Sequence, residues 1–470
     1  MIVVCKKKRL PMIIIIVVMM GMLSGLLSVT NNFRWGIMLI FILLIASTMK
    51  KSKLPYIPSI LLTSLSFIII PWTKNEFRLG PIQIVYLPFI IYGIILFISN
   101  LKKKSLLPNF LYIDSGSKLI NNILCYFLIY GTMSVFWVND YKSWAIYLIY
   151  WYFNICIIFS FTTSIYKDKE KLIRFIIIHL FLLSISSMLG LFRFFVLGYP
   201  DANPILIFNR NGSLFMYIPF YAVLLSLYYM FKKKIFYWYM VVTFTMSFIL
   251  IFSRTGYLAA TLSIVLYYGL IVKTKQGVAR IFKSVFIICF LCVIFLPVFT
   301  IFDFDLKQAI ITRILLIQNG LAFISGKGEN IVYDLRRVQL IDGGIHIIKN
   351  NWLLGTGIGL GNYLYYFPTN ITSVPARAHN LYISYLGELG ILGFWSLIAF
   401  FLSTFIYFLG IVRKVLDIKY KSLGYGFIIG HVVMVLAFAT NEYITFPYVW
   451  FFWGLAFSYF KLMKNNYIAK

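Results

Sequence analysis

Long, uninterrupted apolar runs constrain this chain more than any other feature. Residues 10–29, 56–73, 81–99, 144–165, 284–302 and 389–412 each approach or exceed the roughly 18–20 apolar residues that cross a bilayer. A soluble core of this size needs no runs so long or so numerous. With 61% hydrophobic and only 12% charged residues, the chain lies far from a soluble domain. Trp35, Trp72, Trp137, Trp144 and Trp352 fall near run ends, where amphipathic rings sit at headgroup depth. In hydrocarbon every backbone N–H and C=O needs an internal partner. The expected fold is therefore all-α: a polytopic membrane helical bundle of about 12–14 transmembrane helices, with one long extracytoplasmic loop containing short helices.

The formal charge of +29 raises the question of nucleic acid, and placement argues against it. The basic residues come in short clusters separated by pairs of apolar runs: Lys6–Arg9, Lys50–Lys53, Lys102–Lys104, Lys167–Arg174, Lys232–Lys234, Lys273–Lys283 and Arg413–Lys421. That is the positive-inside pattern, with the clusters against an anionic leaflet. Spans at 10–29/33–49, 56–73/81–99, 119–137/144–165, 175–197/214–231 and 235–252/256–272 form hairpins returning to these clusters. Span 284–302 leaves for the outer side, 389–412 returns, and 422–440/447–463 close the bundle, with 381–388 and 305–325 as candidate partial or re-entrant spans. Both termini are expected to be cytoplasmic. The first run lacks a small-x-small cleavage site and is read as a retained span. Cys289-x-x-Cys292 has half-site spacing but lies within an apolar span, where packing is the better reading. No disulfide framework, metal site or cofactor is expected.

Three regions follow: transmembrane helices over 1–302, an extracytoplasmic catalytic loop at 303–380, and C-terminal transmembrane helices over 381–470. The loop concentrates charged side chains in a chain poor in them, which is where chemistry belongs. Arg210, in Phe208-Asn209-Arg210-Asn211, and Arg254, in Ser253-Arg254-Thr255-Gly256, stand at outer span ends. Arg336 and Arg337 open a helix expected over Asp334–Ile348. Arg377 and His379 stand just before the chain re-enters the membrane. Singly, each arginine is accounted for by headgroup contact or snorkelling, and His379 by a polar helix cap. Together they describe a site for an anionic phosphate, which a guanidinium fork matches bidentately, beside an imidazole able to act as general base near neutral pH. Glu388 and Glu442, at the same depth, are candidates to pair with an arginine and orient it. His179 and His431 read as satisfied interior residues and His346 as a helix-surface residue. The run Gly355-x-Gly357-x-Gly359-x-Gly361 follows no Rossmann-type strand; it reads as a tight turn that lets backbone approach the loop helices or a substrate.

His379-Asn380, nine residues, then Gly390-Ile391-Leu392-Gly393 resembles the His-Asn-x9-Gly-x-x-Gly pattern of bacterial O-antigen ligases and related polysaccharide polymerases. Arg336-Arg337-Val338-Gln339-Leu340 resembles the Arg-x3-Leu element of that superfamily. Trp352-Leu353-Leu354-Gly355-Thr356-Gly357 is similar to its Pro-Leu-Leu-Gly-x-Gly segment, with Trp352 where proline is usual. The likeness covers roughly residues 205–395. It implies a polytopic, C-type glycosyltransferase of the bacterial cytoplasmic (inner) membrane, acting on the extracytoplasmic face without metal on undecaprenyl-pyrophosphate-linked oligosaccharide. His379 is then the expected catalytic base, and Arg210, Arg254, Arg336, Arg337 and Arg377 the residues for pyrophosphate and glycan. The expected reaction is polymerisation of lipid-linked repeat units, with ligation of the finished chain to a lipid A core or another acceptor as the alternative. The expected partners are the lipid-linked glycan, the bilayer and a chain-length regulator protein. A transporter or flippase of lipid-linked sugars, the alternative from another class, predicts broken spans with mid-membrane polar residues and internal repeats; here polar residues gather in one outer loop.

Overall fold

The computed structural model describes residues 78–79, 82–83, 117–197, 210–232, 234–251, 253–271, 332–368, 371 and 376–467. The expected spans 10–29, 33–49, 56–73 and 284–302, the candidate span 305–325, most of 81–99, and the pair Cys289-x-x-Cys292 lie outside the described residues. A short antiparallel hairpin joins β1 (Arg78–Leu79) to β2 (Ile82–Gln83), so the expected span 81–99 opens with strand. All other regular structure described is helical. In chain order the helices are α1 (Lys118–Met133), α2 (Tyr141–Ile165), α3 (Lys169–Leu197), α4 (Arg210–Ser226), α5 (Lys234–Leu250), α6 (Arg254–Ile271), α7 (Val332–Asn351), α8 (Leu360–Tyr365), α9 (Leu381–Val412), α10 (Ile418–Ala437) and α11 (Pro447–Tyr467). Lys118–Phe136, Tyr141–Ile165, Lys169–Phe194, Leu381–Val412 and Ile418–Thr440 are long and apolar enough to cross a membrane. The chain is an all-α polytopic membrane protein.

Polar residues between apolar runs set the helix starts. Asp140, Asn380 and Asp417 accept hydrogen bonds from first-turn N–H groups of α2, α9 and α10, satisfying donors that the first turn leaves unpaired. Small residues set the closest packing. Along α10, Gly426 and Gly430 lie four residues apart on one face; a Cβ on Gly430 would come within 2.3 Å of the Pro219 carbonyl of α4, and one on Gly426 within 2.3 Å of Ser226 Oγ. The two backbones meet through this stripe, since van der Waals contact rather than water exclusion drives helix association in lipid. Behind it an aromatic core gathers around α11, with Trp453 against Phe400 at 4.9 Å and Phe408 stacked on Phe460 at 4.2 Å. His431 accepts from Trp453 Nε1 at 3.0 Å and lies 3.1 Å from the Phe401 carbonyl; His179 bonds Tyr448 at 2.5 Å. Both are satisfied interior residues, as expected. His346 is exposed on α7 beside Asn350.

Two irregularities shape the end of the bundle that carries the site. α2 contains a π-helical segment, Phe153–Phe159, which turns the buried Asn154 amide onto the Thr445 carbonyl at 2.6 Å; such insertions re-aim side chains. α9 begins at Leu381, so the stretch 381–388, expected as a partial or re-entrant piece, joins the span expected at 389–412, with an interruption at Gly390 (φ 57°, ψ −173°). A break at this depth is tolerated only where other backbone takes up the freed groups.

Candidate active site

The glycine run supplies that backbone. Thr356 N–H donates to the Gly387 carbonyl and Gly357 N–H to the Glu388 carbonyl, both at 2.9 Å, while Ile391 N–H donates to the Trp352 carbonyl at 2.8 Å. The segments are so close that a Cβ on Gly355 (φ 73°) would lie 2.3 Å from the Glu388 carbonyl oxygen, and one on Gly390 would lie 2.3 Å from that of Leu353. The loop beyond is tied to the turn between α1 and α2. Asn362 Oδ1 accepts from the N–H groups of Asn139 and Asp140 at 2.9 and 2.6 Å, and Ser143 Oγ accepts from Gly361 N–H at 2.8 Å. Of the two partners foreseen for the glycine run, the loop helices and a substrate, the structure shows neighbouring backbone and side chains in contact with it.

Inside this frame lies a buried charged cluster. The Arg377 Nε donates to Glu388 Oε1 at 2.6 Å, its Nη2 lies 2.5 Å from the same oxygen, and its Nη1 donates to Tyr147 OH at 3.1 Å. Glu442 Oε2 stands 3.7 Å from Nε. The guanidinium carbon sits 4.6 Å from the Tyr147 ring centroid and 5.7 Å from that of Tyr385, within cation–π range. The second Glu388 oxygen accepts from Gly359 N–H at 3.0 Å, so the glycine run also hydrogen-bonds this carboxylate, which is fully buried. Burial pulls the Arg377 pKa down, but Glu388, the two tyrosines and Glu442 outweigh it and hold the guanidinium well above its ordinary value. Burial pushes Glu442 up to about 7, with Arg377 and the Ser384 hydroxyl pulling the other way.

The cluster holds the segment that carries His379. Ser384 Oγ donates to Glu442 Oε1 at 2.6 Å and accepts from Ala378 N–H at 3.2 Å. Glu442 also accepts from the His379 backbone N–H. Asn380 caps α9 through the N–H groups of Tyr382 and Ile383 at 2.9 and 3.2 Å. His379 itself has φ 51°, a left-handed conformation that non-glycine residues adopt at a cost of about 1–2 kcal/mol. Its backbone is thus over-determined from both sides while its side chain is exposed.

The expected arginines reach this end by backbone placement. Arg210 opens α4, and Phe215 one and a half turns later stacks on Phe438 at 5.7 Å and meets the tilted Tyr443 ring at 5.0 Å. Arg254 opens α6, where the adjoining Thr255 bonds Thr440 at 2.8 Å. Both helix starts therefore lie against the 438–445 turn that carries Glu442. Arg336 and Arg337 lie in the first half of α7, whose observed bounds extend the expected Asp334–Ile348 by a few residues. That helix rests on the start of α9 through Gly344: a Cβ there would meet Ile383 at 2.6 Å and Ala378 at 3.5 Å. From Gly344 the two arginines are about 10–12 Å along the axis at 1.5 Å per residue. The side chains of these four lie outside the described residues. Arg377 is the described one, and its fork is occupied by protein carboxylates.

Sequence reasoning did not single out Tyr147, Ser384 or Tyr385. The signal was present: Ser384, Tyr385 and Glu388 recur at helical spacing, a polar stripe on an otherwise apolar span, and all three are buried.

Residues 238–398 match the family model described as O-antigen ligase. No curated protein matches the chain. The match covers α5 from Trp238, α6, α7, α8 and the first half of α9, including the glycine run, Arg377, His379 and the break at Gly390.

Proposed function

We propose, from the O-antigen ligase domain that residues 238–398 carry, that the protein is a polymerase of undecaprenyl-pyrophosphate-linked oligosaccharide repeat units for surface polysaccharide. In this reading the reducing end of the growing glycan passes from the lipid pyrophosphate to a sugar hydroxyl on the next lipid-linked unit. His379 takes the proton from that hydroxyl as it attacks the anomeric carbon, and the C–O bond to the pyrophosphate breaks. Pyrophosphate is a good leaving group, so stabilising its charge matters more than protonating it. Arg210, Arg254, Arg336 and Arg337 supply planar, fixed-charge donors for that purpose. Arg377 acts one step removed, as the internal anchor of the segment bearing His379. Exposed Trp352, Leu353, Leu354, Leu392 and Trp395 flank the break in α9 and offer an apolar surface for a polyprenyl chain.

The single observation that carries this reading is an exposed imidazole, held in a left-handed backbone conformation over a buried ion-pair cluster, at the end of the bundle where the helices that open with Arg210 and Arg254 begin and against which the helix bearing Arg336 and Arg337 packs. A second reading, ligation of a finished glycan to a lipid A core or another acceptor, is favoured by the description of the matching family. The test uses purified full-length protein with lipid-linked oligosaccharide. His379→Ala should abolish transfer at normal abundance, and Arg254→Lys and Arg336→Lys should retain only part of it. Full activity of His379→Ala removes the proposed base. A deletion strain accumulating single lipid-linked repeats supports polymerase; one accumulating long lipid-linked polymer supports ligase.

A further inference from the structure

The opposite end of the bundle carries a different chemistry. Beyond its break at Gly390, α9 runs a further 22 residues to Val412, on the order of 33 Å at 1.5 Å per residue, so the following turn and the start of α10 lie at the far end from Arg377. There a cavity of about 350 Å³ opens between the first turns of α3, Met230 beyond α4, and Lys419 and Tyr420 of α10. Its wall is apolar, formed by Ile173, Ile177 and Met230, and its rim is basic, formed by Arg174 and Lys419.

The rim is net positive, with Arg174 and Lys419 against one carboxylate. Its one carboxylate, Glu170, accepts from Tyr420 OH at 2.7 Å, and Lys169 Nζ sits 4.4 Å over the Tyr420 ring. Lys171 is paired with Asp168 at 3.6 Å. Arg174 and Lys419 are exposed and make no ion pair among the described residues. A basic rim above an apolar wall, at the end of two membrane-spanning helices, fits an amphiphile whose anionic group meets the rim while its chains follow the wall. A soluble anion would use the rim and leave the wall unused.

We propose that this cavity binds an anionic glycerophospholipid, with its phosphate between Arg174 and Lys419 and an acyl chain along Ile173, Ile177 and Met230. The test is native mass spectrometry of the full-length protein in detergent, titrated with phosphatidylglycerol, phosphatidylcholine or inorganic phosphate. Phosphatidylglycerol should be retained in preference to phosphatidylcholine. Arg174→Gln/Lys419→Gln should weaken it by roughly 25-fold, about fivefold per basic side chain at a membrane surface. Arg174→Lys/Lys419→Arg, which keeps both charges, should bind as the native protein does. Equal retention of the two lipids overturns the proposal, as does unchanged phosphatidylglycerol binding by the Gln pair. Displacement of the lipid by millimolar inorganic phosphate would assign the rim to a soluble anion instead.

Discussion

Removing the Arg377 side chain should destabilise the protein, and removing its partner as well should restore part of the loss. Arg377→Met keeps a long apolar stem but deletes the contacts to Glu388 at 2.5 and 2.6 Å and to Tyr147 at 3.1 Å. Glu388, with no exposed surface, is left with only the Gly359 N–H. Stranding one partner of a buried pair costs about 3–5 kcal/mol, on the order of 3–5 °C in apparent melting temperature for a chain of this size. Glu388→Gln alone should cost less, roughly 1–3 kcal/mol, because Glu442, 3.7 Å from Nε, still faces the guanidinium. The double variant Arg377→Met/Glu388→Gln removes the stranded charge, so it should be more stable than Arg377→Met. Thermal unfolding of purified protein in one detergent, followed by tryptophan fluorescence, reads all four corners of the cycle. Trp151, whose ring is 5.8 Å from that of Tyr385, lies close enough to report on the cluster. Additive losses, with the double variant the least stable, would refute the argument that Arg377 is retained to neutralise Glu388.

Gly355→Ala should reduce folded yield severely, because its Cβ would sit 2.3 Å from the Glu388 carbonyl at φ 73°, whereas Gly410→Ala, with nothing within 4 Å, should be neutral or stabilising by up to about 1 kcal/mol; detergent-extracted, monodisperse protein measured by size exclusion separates the two. Asn380→Ala removes the α9 cap and should cost about 1 kcal/mol, with Asn380→Asp close to native, both read as melting-temperature shifts. Glu442, raised to about 7 in the folded protein against roughly 4.3 for a free carboxyl, binds its proton more tightly folded than unfolded. Its contribution is therefore fully present below about pH 4.3 and lost as pH rises through about 7, a fall on the order of 3 kcal/mol. The stability difference between native protein and Glu442→Gln, measured from pH 4.5 to 8, should trace that fall and then level off; a flat difference would show that Glu442 titrates normally.

Most of the described spans were legible because bilayer thickness fixes their length and lysine clusters fix their ends. The start of α9 was legible only in part. Hydropathy placed the full span at 389–412 and left 381–388 as a partial or re-entrant piece, since Glu388 breaks the apolar run. In the folded chain the helix begins at Leu381, capped by Asn380, and Arg377 and the Gly359 N–H partner the Glu388 carboxylate inside it. A window average cannot register a charge cancelled from outside the window. For the same reason the glycine run could be read as a place of close backbone approach without revealing the Gly387 and Glu388 carbonyls as its partners. Glu388 and Glu442 were legible as partners for an arginine. Which arginine was not, because five candidates share one chemistry and only the fold separates a buried fork from an exposed one. The left-handed turn at His379 is the clearest case. In an extended segment residues two apart face the same side, so an inward Arg377 would carry residue 379 inward with it. The positive φ at His379 reverses that, letting one short loop send a guanidinium into the bundle and an imidazole out of it. Nothing in the local sequence announces that reversal, yet the proposed chemistry depends on it: a base that followed Arg377 into the cluster would meet Glu442 instead of an acceptor hydroxyl.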